Sequence, residues 1–248
     1  MYYYIFEQTK KKRVARTYEK IKDQLTDLGI TGEIVTPSPA RTTEELTAIG
    51  LQKGYSTIVG VGSSQHINKI ASQLEGQKAV LGVIPLTSST VSQMIGVSDI
   101  KSACEALRFR KLEEIDLVLI EPNKYYLTQA EIHITKPQEL YFELGSLVVG
   151  RGYFTDLTIT HDLNFYLDNT KTQGAGLGNF WGWLWGKKKS SNNFSHFHTR
   201  RIKIETVEPL PIIVNGEVVA KTPAVFHLKQ KALKLIVARS KLAQGDLT

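Results

Sequence analysis

The chain has very little sulfur: one cysteine, Cys104, and two methionines in 248 residues. A lone thiol excludes an intrachain disulfide and suits a reducing, cytoplasmic setting. Cys104 falls among Ile100, Ala103 and Leu107 at helical spacing, which predicts core packing rather than a reactive thiol. Long apolar runs are missing too. None approaches the roughly 20 residues a membrane-spanning helix needs. The first residues, MYYYIFEQTKKKRV, carry their charge after the apolar stretch and lack a small-residue cleavage site. They make a poor signal peptide and a good first strand. Acidic residues are in deficit, 24 against 31 Lys and Arg, for a net charge of +7. That balance favours anionic partners: phosphate groups, anionic lipid headgroups or nucleic acid. Nucleic acid is the weakest of the three, because no motif of the common recognition modules occurs and the tryptophans are not interleaved with the basic clusters.

What is present divides into two halves with different periods. Tyr2–Phe6 reads as a buried strand. Val14, Tyr18, Ile21, Leu25 and Leu28 recur at steps of three and four, and Gly29 ends that helix. Further strands are expected at 32–36, 56–61 and 79–84, and helices at 43–53, at 67–74 and at 100–107. This alternation predicts a parallel α/β sheet over 1–115. From about Glu113 the period becomes two, as in Leu157, Ile159, Leu163, Phe165 and Leu167. The pair Asn215-Gly216 predicts a hairpin. An antiparallel β-sandwich or small barrel is therefore expected over 116–248, with a mobile loop at 170–193.

The stretch Val59–Val97 carries the most specific signal. It repeats a strand, a turn of small polar residues and a helix, the layout of a phosphate site at helix N-termini. Ile67-Asn68-Lys69-Ile70 matches the helix opening, roughly Ile-Asn-Glu-Val, that follows Gly-Gly-Asp-Gly-Thr in the diacylglycerol kinase catalytic-domain family of lipid kinases. Pro85-Leu86-Thr87-Ser88-Ser89-Thr90 falls on that family's Pro-Leu-Gly-Thr motif, and Ile95-Gly96-Val97 on its Leu-Gly-Ile. Asn215-Gly216-Glu217 lies where the family has Asp-Gly-Glu. The chain thus resembles these kinases, which include sphingosine kinases and bacterial relatives. The resemblance implies an α/β nucleotide-binding domain followed by a β-sandwich, and ATP and Mg²⁺ if the chain is an active kinase.

The departures weigh against that activity. The signature positions read Gly62-Ser63-Ser64-Gln65-His66, and Thr87 replaces a glycine. Ser64 stands for the family's metal-organising Asp, and a hydroxyl is a poor substitute in a Mg²⁺ site. The N-terminal phosphate loop becomes Glu7-Gln8-Thr9-Lys10-Lys11-Lys12, without its Pro and Gly. Asn215 replaces an Asp proposed as general base, a role an amide cannot fill, and Glu217 remains. The resemblance therefore implies Ser64, Asn215 and Glu217 as equivalents of catalytic positions. Candidates for phosphate contact are Lys10, Lys11, Lys12, Thr36, Gly62, Ser63, Ser64, Thr87, Ser88 and Ser89. No metal ligand set is expected.

All three tryptophans, Trp181, Trp183 and Trp185, share one pentapeptide, followed by Lys187, Lys188 and Lys189. Indole rings favour the membrane–water interface and lysines anionic headgroups. The segment is a candidate membrane or lipid contact, an oligomer contact or packing on the sandwich. The reading that follows is a lipid-kinase-like protein with a degenerate ATP and Mg²⁺ site, cytoplasmic and peripheral to membranes, acting as a non-catalytic lipid- or phosphate-binding regulatory protein. The alternatives are an active lipid kinase with divergent loops and a structural or oligomeric module.

Overall fold

In a computed structural model of the chain, residues 1–134, 139–145, 147–153, 156–168 and 194–239 are described. The candidate membrane loop, Trp181 to Lys189, lies outside them. The backbone divides into two units. The first comprises Met1–Leu117, Tyr125–Thr128 and the stretch from Lys229 onward; the second comprises Val118–Lys124 and Gln129–Leu228.

Continuous apolar runs produce the parallel sheet of the first unit. Strands β1 (Tyr2–Phe6), β3 (Thr57–Gly62) and β4 (Val80–Pro85) are almost wholly buried, as parallel strands covered on both faces must be. With β2 (Gly32–Val35) they run in the order β2-β1-β3-β4. Helices α1 (Lys12–Asp27), α2 (Thr43–Gln52), α3 (Ser64–Leu74), α4 (Thr90–Ile95) and α5 (Ile100–Phe109) alternate with them. Ile67 and Ile70 of α3 cover Gly60 of β3, and Leu107 of α5 covers Gly82 of β4. Val59 is the register partner of Gly82, so α3 and α5 lie on opposite faces of the sheet.

The second unit is antiparallel. Six strands form one sheet in the order β12-β11-β10-β7-β14-β15: Phe194–His198, Asn164–Asp168, Asp156–Thr160, Gln129–His133, Pro211–Val214 and Glu217–Lys221. A second group joins β13 (Arg201–Thr206), β8 (Glu139–Leu144) and β9 (Leu147–Tyr153). The predicted parity holds, with Leu157, Ile159, Phe165 and Leu167 buried. Phe142 of β8 meets Phe165 of β11 at 5.2 Å between ring centroids, so the two groups share a core, as in a sandwich.

One feature departs from the expected boundary at 115/116. Strand β16 (Ala224–Val237) serves both units. Residues 224–227 pair with β13, while Leu235 pairs with Leu81 of β4. Leu233, Leu235, Ile236 and Val237 belong to the core of the first unit. The cause is the apolar run LKLIV, which reads equally well as either kind of strand until a parallel neighbour is known. Within β16, Lys231 takes φ +50, and its amide donates to Asp116 Oδ1 at 2.8 Å. Asp116 lies on β5 (Lys111–Ile120). A short β6 (Lys124–Tyr126) completes the strands.

Candidate functional site

The carboxyl ends of β1, β3 and β4 lie side by side, because Phe6 pairs with Val61 and Gly62 with Pro85. In open α/β sheets this end is where ligands bind. The residues that follow, Glu7, Ser63 and Leu86, are brought together: Glu7 N donates to Val61 O at 2.8 Å and Leu86 N to Gly62 O at 3.2 Å.

Ser63 is the N-cap of α3, and its Oγ accepts from His66 N at 3.3 Å. The anion on this turn is supplied by the chain itself. Glu7 Oε2 accepts from Ser63 N at 2.7 Å, and Glu7 Oε1 accepts from Ser63 Oγ at 2.7 Å. The carboxylate therefore faces the positive end of α3, where negative charge is favoured. A Cβ on Gly62 would stand 2.6 Å from Glu7 Oε2 and 2.7 Å from Glu7 Cβ. The space that glycine leaves here is taken by Glu7. The Glu7 backbone is held as well: Tyr18 Oη donates to its carbonyl at 2.8 Å. Burial pushes the Tyr18 phenol up to about 12, with the nearby Glu7 carboxylate adding to the shift, so it remains a donor.

His66 is no free base. It is buried, and its Nε2 lies 2.9 Å from Ile5 O. A carbonyl only accepts, so that nitrogen carries the proton. Nδ1 is 3.3 Å from the buried Thr43 hydroxyl, which donates to it. Desolvation holds the imidazole below its ordinary pKa. The ring ties β1, α2 and α3 together. Asn68 does similar work: its Oδ1 accepts from Leu127 N at 2.8 Å and its Nδ2 donates to Tyr125 O at 3.4 Å, fixing Tyr125–Thr128 to the first unit.

The second motif lines an open cavity of about 230 Å³ with Pro85, Leu86, Thr87, Ser88, Ser92, Ser98, Asp99 and Ile100. Ser89 caps α4, and the Asp99 carboxylate caps α5, accepting from Ser102 N at 2.8 Å. Hydrogen bonds from the Ser102 amide and hydroxyl hold Asp99 below the usual carboxylate range. Lys10, Lys11 and Lys12 are exposed at the start of α1. Lys12 joins Arg13, Arg16, Thr17 and Lys20 around a hollow of about 550 Å³. Among the described residues this hollow shares no lining residue with the hydroxyl cavity. Thr36 is exposed just past β2. Ser64 is the first residue of α3. Asn215 and Gly216 take φ +51 and +81 in the β14–β15 turn, the left-handed geometry of a two-residue hairpin, with Glu217 opening β15. Among the described residues no group of three or more His, Cys, Asp and Glu side chains is placed to hold a metal ion.

Sequence reasoning missed Glu7 as a participant, along with Tyr18 and Thr43. The available signal was a carboxylate in the segment aligned with a phosphate loop. Its partner, Ser63, lies 56 positions away, beyond any local pattern.

No protein-family model matches the sequence, and no curated protein matches it. Solved structures do match. A "putative diacylglycerol kinase from Bacillus anthracis str. Sterne" is 14% identical over 96% of this chain and 98% of its own, with a TM-score of 0.76. A second structure under that description gives 13%, 96%, 97% and 0.74. A third, described as a diacylglycerol kinase of the same organism, gives 14%, 96%, 98% and 0.74. The chain therefore has the diacylglycerol-kinase-like lipid kinase fold, an α/β unit combined with an antiparallel β unit.

Proposed function

We propose that this chain is a non-catalytic member of that structural class, which binds an anionic lipid surface and does not transfer phosphate. The observation that carries the reading is the Glu7 carboxylate on the Ser63 amide and hydroxyl. Phosphoryl transfer depends on positioning the phosphates and neutralising their charge. A carboxylate that takes up the amide and hydroxyl donors of the turn competes with a phosphate for them. The residues present do not fit ATP and Mg²⁺: Glu7 takes the room beside Gly62, Ser64 offers no carboxylate, and Asn215 offers no base. The matched Bacillus anthracis proteins are described as diacylglycerol kinases; here the fold is kept for binding.

The basic face of α1 supports the choice of partner. Lys12, Arg13, Arg16 and Lys20 border one hollow, and such clusters attract anionic headgroups over about a Debye length.

Two measurements test the reading. Incubated with Mg-ATP labelled at the γ-phosphate and vesicles containing diacylglycerol, the protein is expected to yield no labelled phosphatidic acid. Time-dependent labelling overturns the non-catalytic reading. In sedimentation with phosphatidylglycerol vesicles, binding is expected at low salt and lost at high salt, and R13E/R16E weakens it roughly tenfold or more. Equal binding to phosphatidylcholine vesicles, or none to either, overturns the lipid assignment.

A further inference from the structure

Three helices of the first unit complete their N-terminal caps from within. The amide of Thr42 donates to Glu45 Oε2 at 2.7 Å, that of Ser89 to Ser92 Oγ at 2.7 Å, and that of Asp99 to Ser102 Oγ at 3.1 Å. In each case the acceptor is the side chain three residues on, as in a capping box. In α3 that residue is His66, whose ring is committed to Ile5 and Thr43. The Ser63 amide is left for an outside acceptor, and Glu7 provides one in Oε2, while its Oε1 accepts from the Ser63 hydroxyl. The carboxylate is also fixed in place by its own backbone, since Glu7 N and O are bonded to Val61 and Tyr18. At the same strand ends the hydroxyl-lined cavity of about 230 Å³ stands open, and Leu86 N on Gly62 O joins its rim to the turn.

We infer that Glu7 is an autoinhibitory carboxylate, a tethered anion that occupies the oxyanion seat of the β3–α3 turn and excludes free oxyanions from the cavity beside it. This deepens the reading of the site given above and rests on its premise that the turn is closed. Withdrawing the carboxylate frees the Ser63 amide and hydroxyl, the two donors it now holds. The hydroxyls of Thr87 and Ser88 line the neighbouring cavity and offer further donors. The ligand class is a small tetrahedral oxyanion, whether free or part of a larger phosphate ester.

The test compares full-length wild type, E7A and E7Q, titrated with inorganic phosphate at constant ionic strength, with chloride as control. Thermal melting and equilibrium dialysis are the readouts. E7A is expected to gain a rise of about 3–6 °C at tenfold its Kd for phosphate, while wild type does not move. E7Q, which loses the charge but keeps the chain length, responds between the two, and adding S63A to E7A reduces the gain. A folded E7A that ignores phosphate overturns the inference, and so does a wild type that responds as strongly. Should E7A fail to fold, E7Q decides: a response no greater than wild type overturns it. Labelled lipid from wild type would instead count against the non-catalytic reading, so the two failures are distinct.

Discussion

Replacing Gly62 by alanine sets a methyl group against the Glu7 side chain at 2.6 and 2.7 Å. Neither neighbour is free to retreat, because Glu7 is bonded at its amide, carbonyl and carboxylate. G62A is expected to destabilise by about 1–3 kcal/mol in denaturant unfolding, and by clearly less when combined with E7G. Equal costs in both backgrounds would show that the crowding lies elsewhere. At His66 the prediction concerns pH. Its folded pKa is depressed by burial, so in the window between that value and its unfolded value of about 6.5 the unfolded chain holds a proton that the folded one lacks. Stability then falls as pH drops through that window. Melting curves across this range should show the loss, and H66Q should flatten this component while lowering stability overall.

At the scale of elements, the local rules did much of the work. Gly29, with φ +67, ends α1 as predicted. Thr42 opens α2 with a full capping box, and T42A should cost about 1 kcal/mol, measurable as a lowered melting temperature. The continuous run at 56–61 and the parity at 157–167 identified buried parallel and half-buried antiparallel strands because burial acts on each residue separately. The turn at Gly62–His66 was legible as a strand–turn–helix for the same reason. Its closure by Glu7 was not, since that contact depends on two strand ends meeting after the sheet has formed. The left-handed residue within β16 was equally hidden. Lys231 sits at φ +50, a region that costs a side-chain-bearing residue about 1–2 kcal/mol. K231G should raise the melting temperature slightly, because relief of that strain exceeds the added chain entropy. A drop would mean that the lysine side chain contributes more than its backbone costs.

For the whole molecule, the two-part organisation was readable from the change of period, and the resemblance to diacylglycerol kinases holds at the level of fold. The path of the chain was not readable. Strand pairing across more than a hundred residues, such as Leu81 with Leu235, leaves no mark on local composition. Removing residues from 229 onward takes Leu233, Leu235, Ile236 and Val237 out of the first unit's core. Such a truncation is expected to abolish cooperative unfolding of that unit and its slow hydrogen exchange. Retention of protected amides in β3 and β4 would show that the sheet is self-sufficient without β16.

The division of β16 also bears on how the protein is made. During vectorial synthesis the ribosome releases β1 through β4 early, yet the partner of β4 is translated only after all of the second unit. For that interval the nascent sheet presents an apolar edge with no native neighbour, a condition that invites wrong pairing. Delayed completion of this kind predicts a dependence on chaperones during translation that a refolding experiment on the finished chain would not reveal.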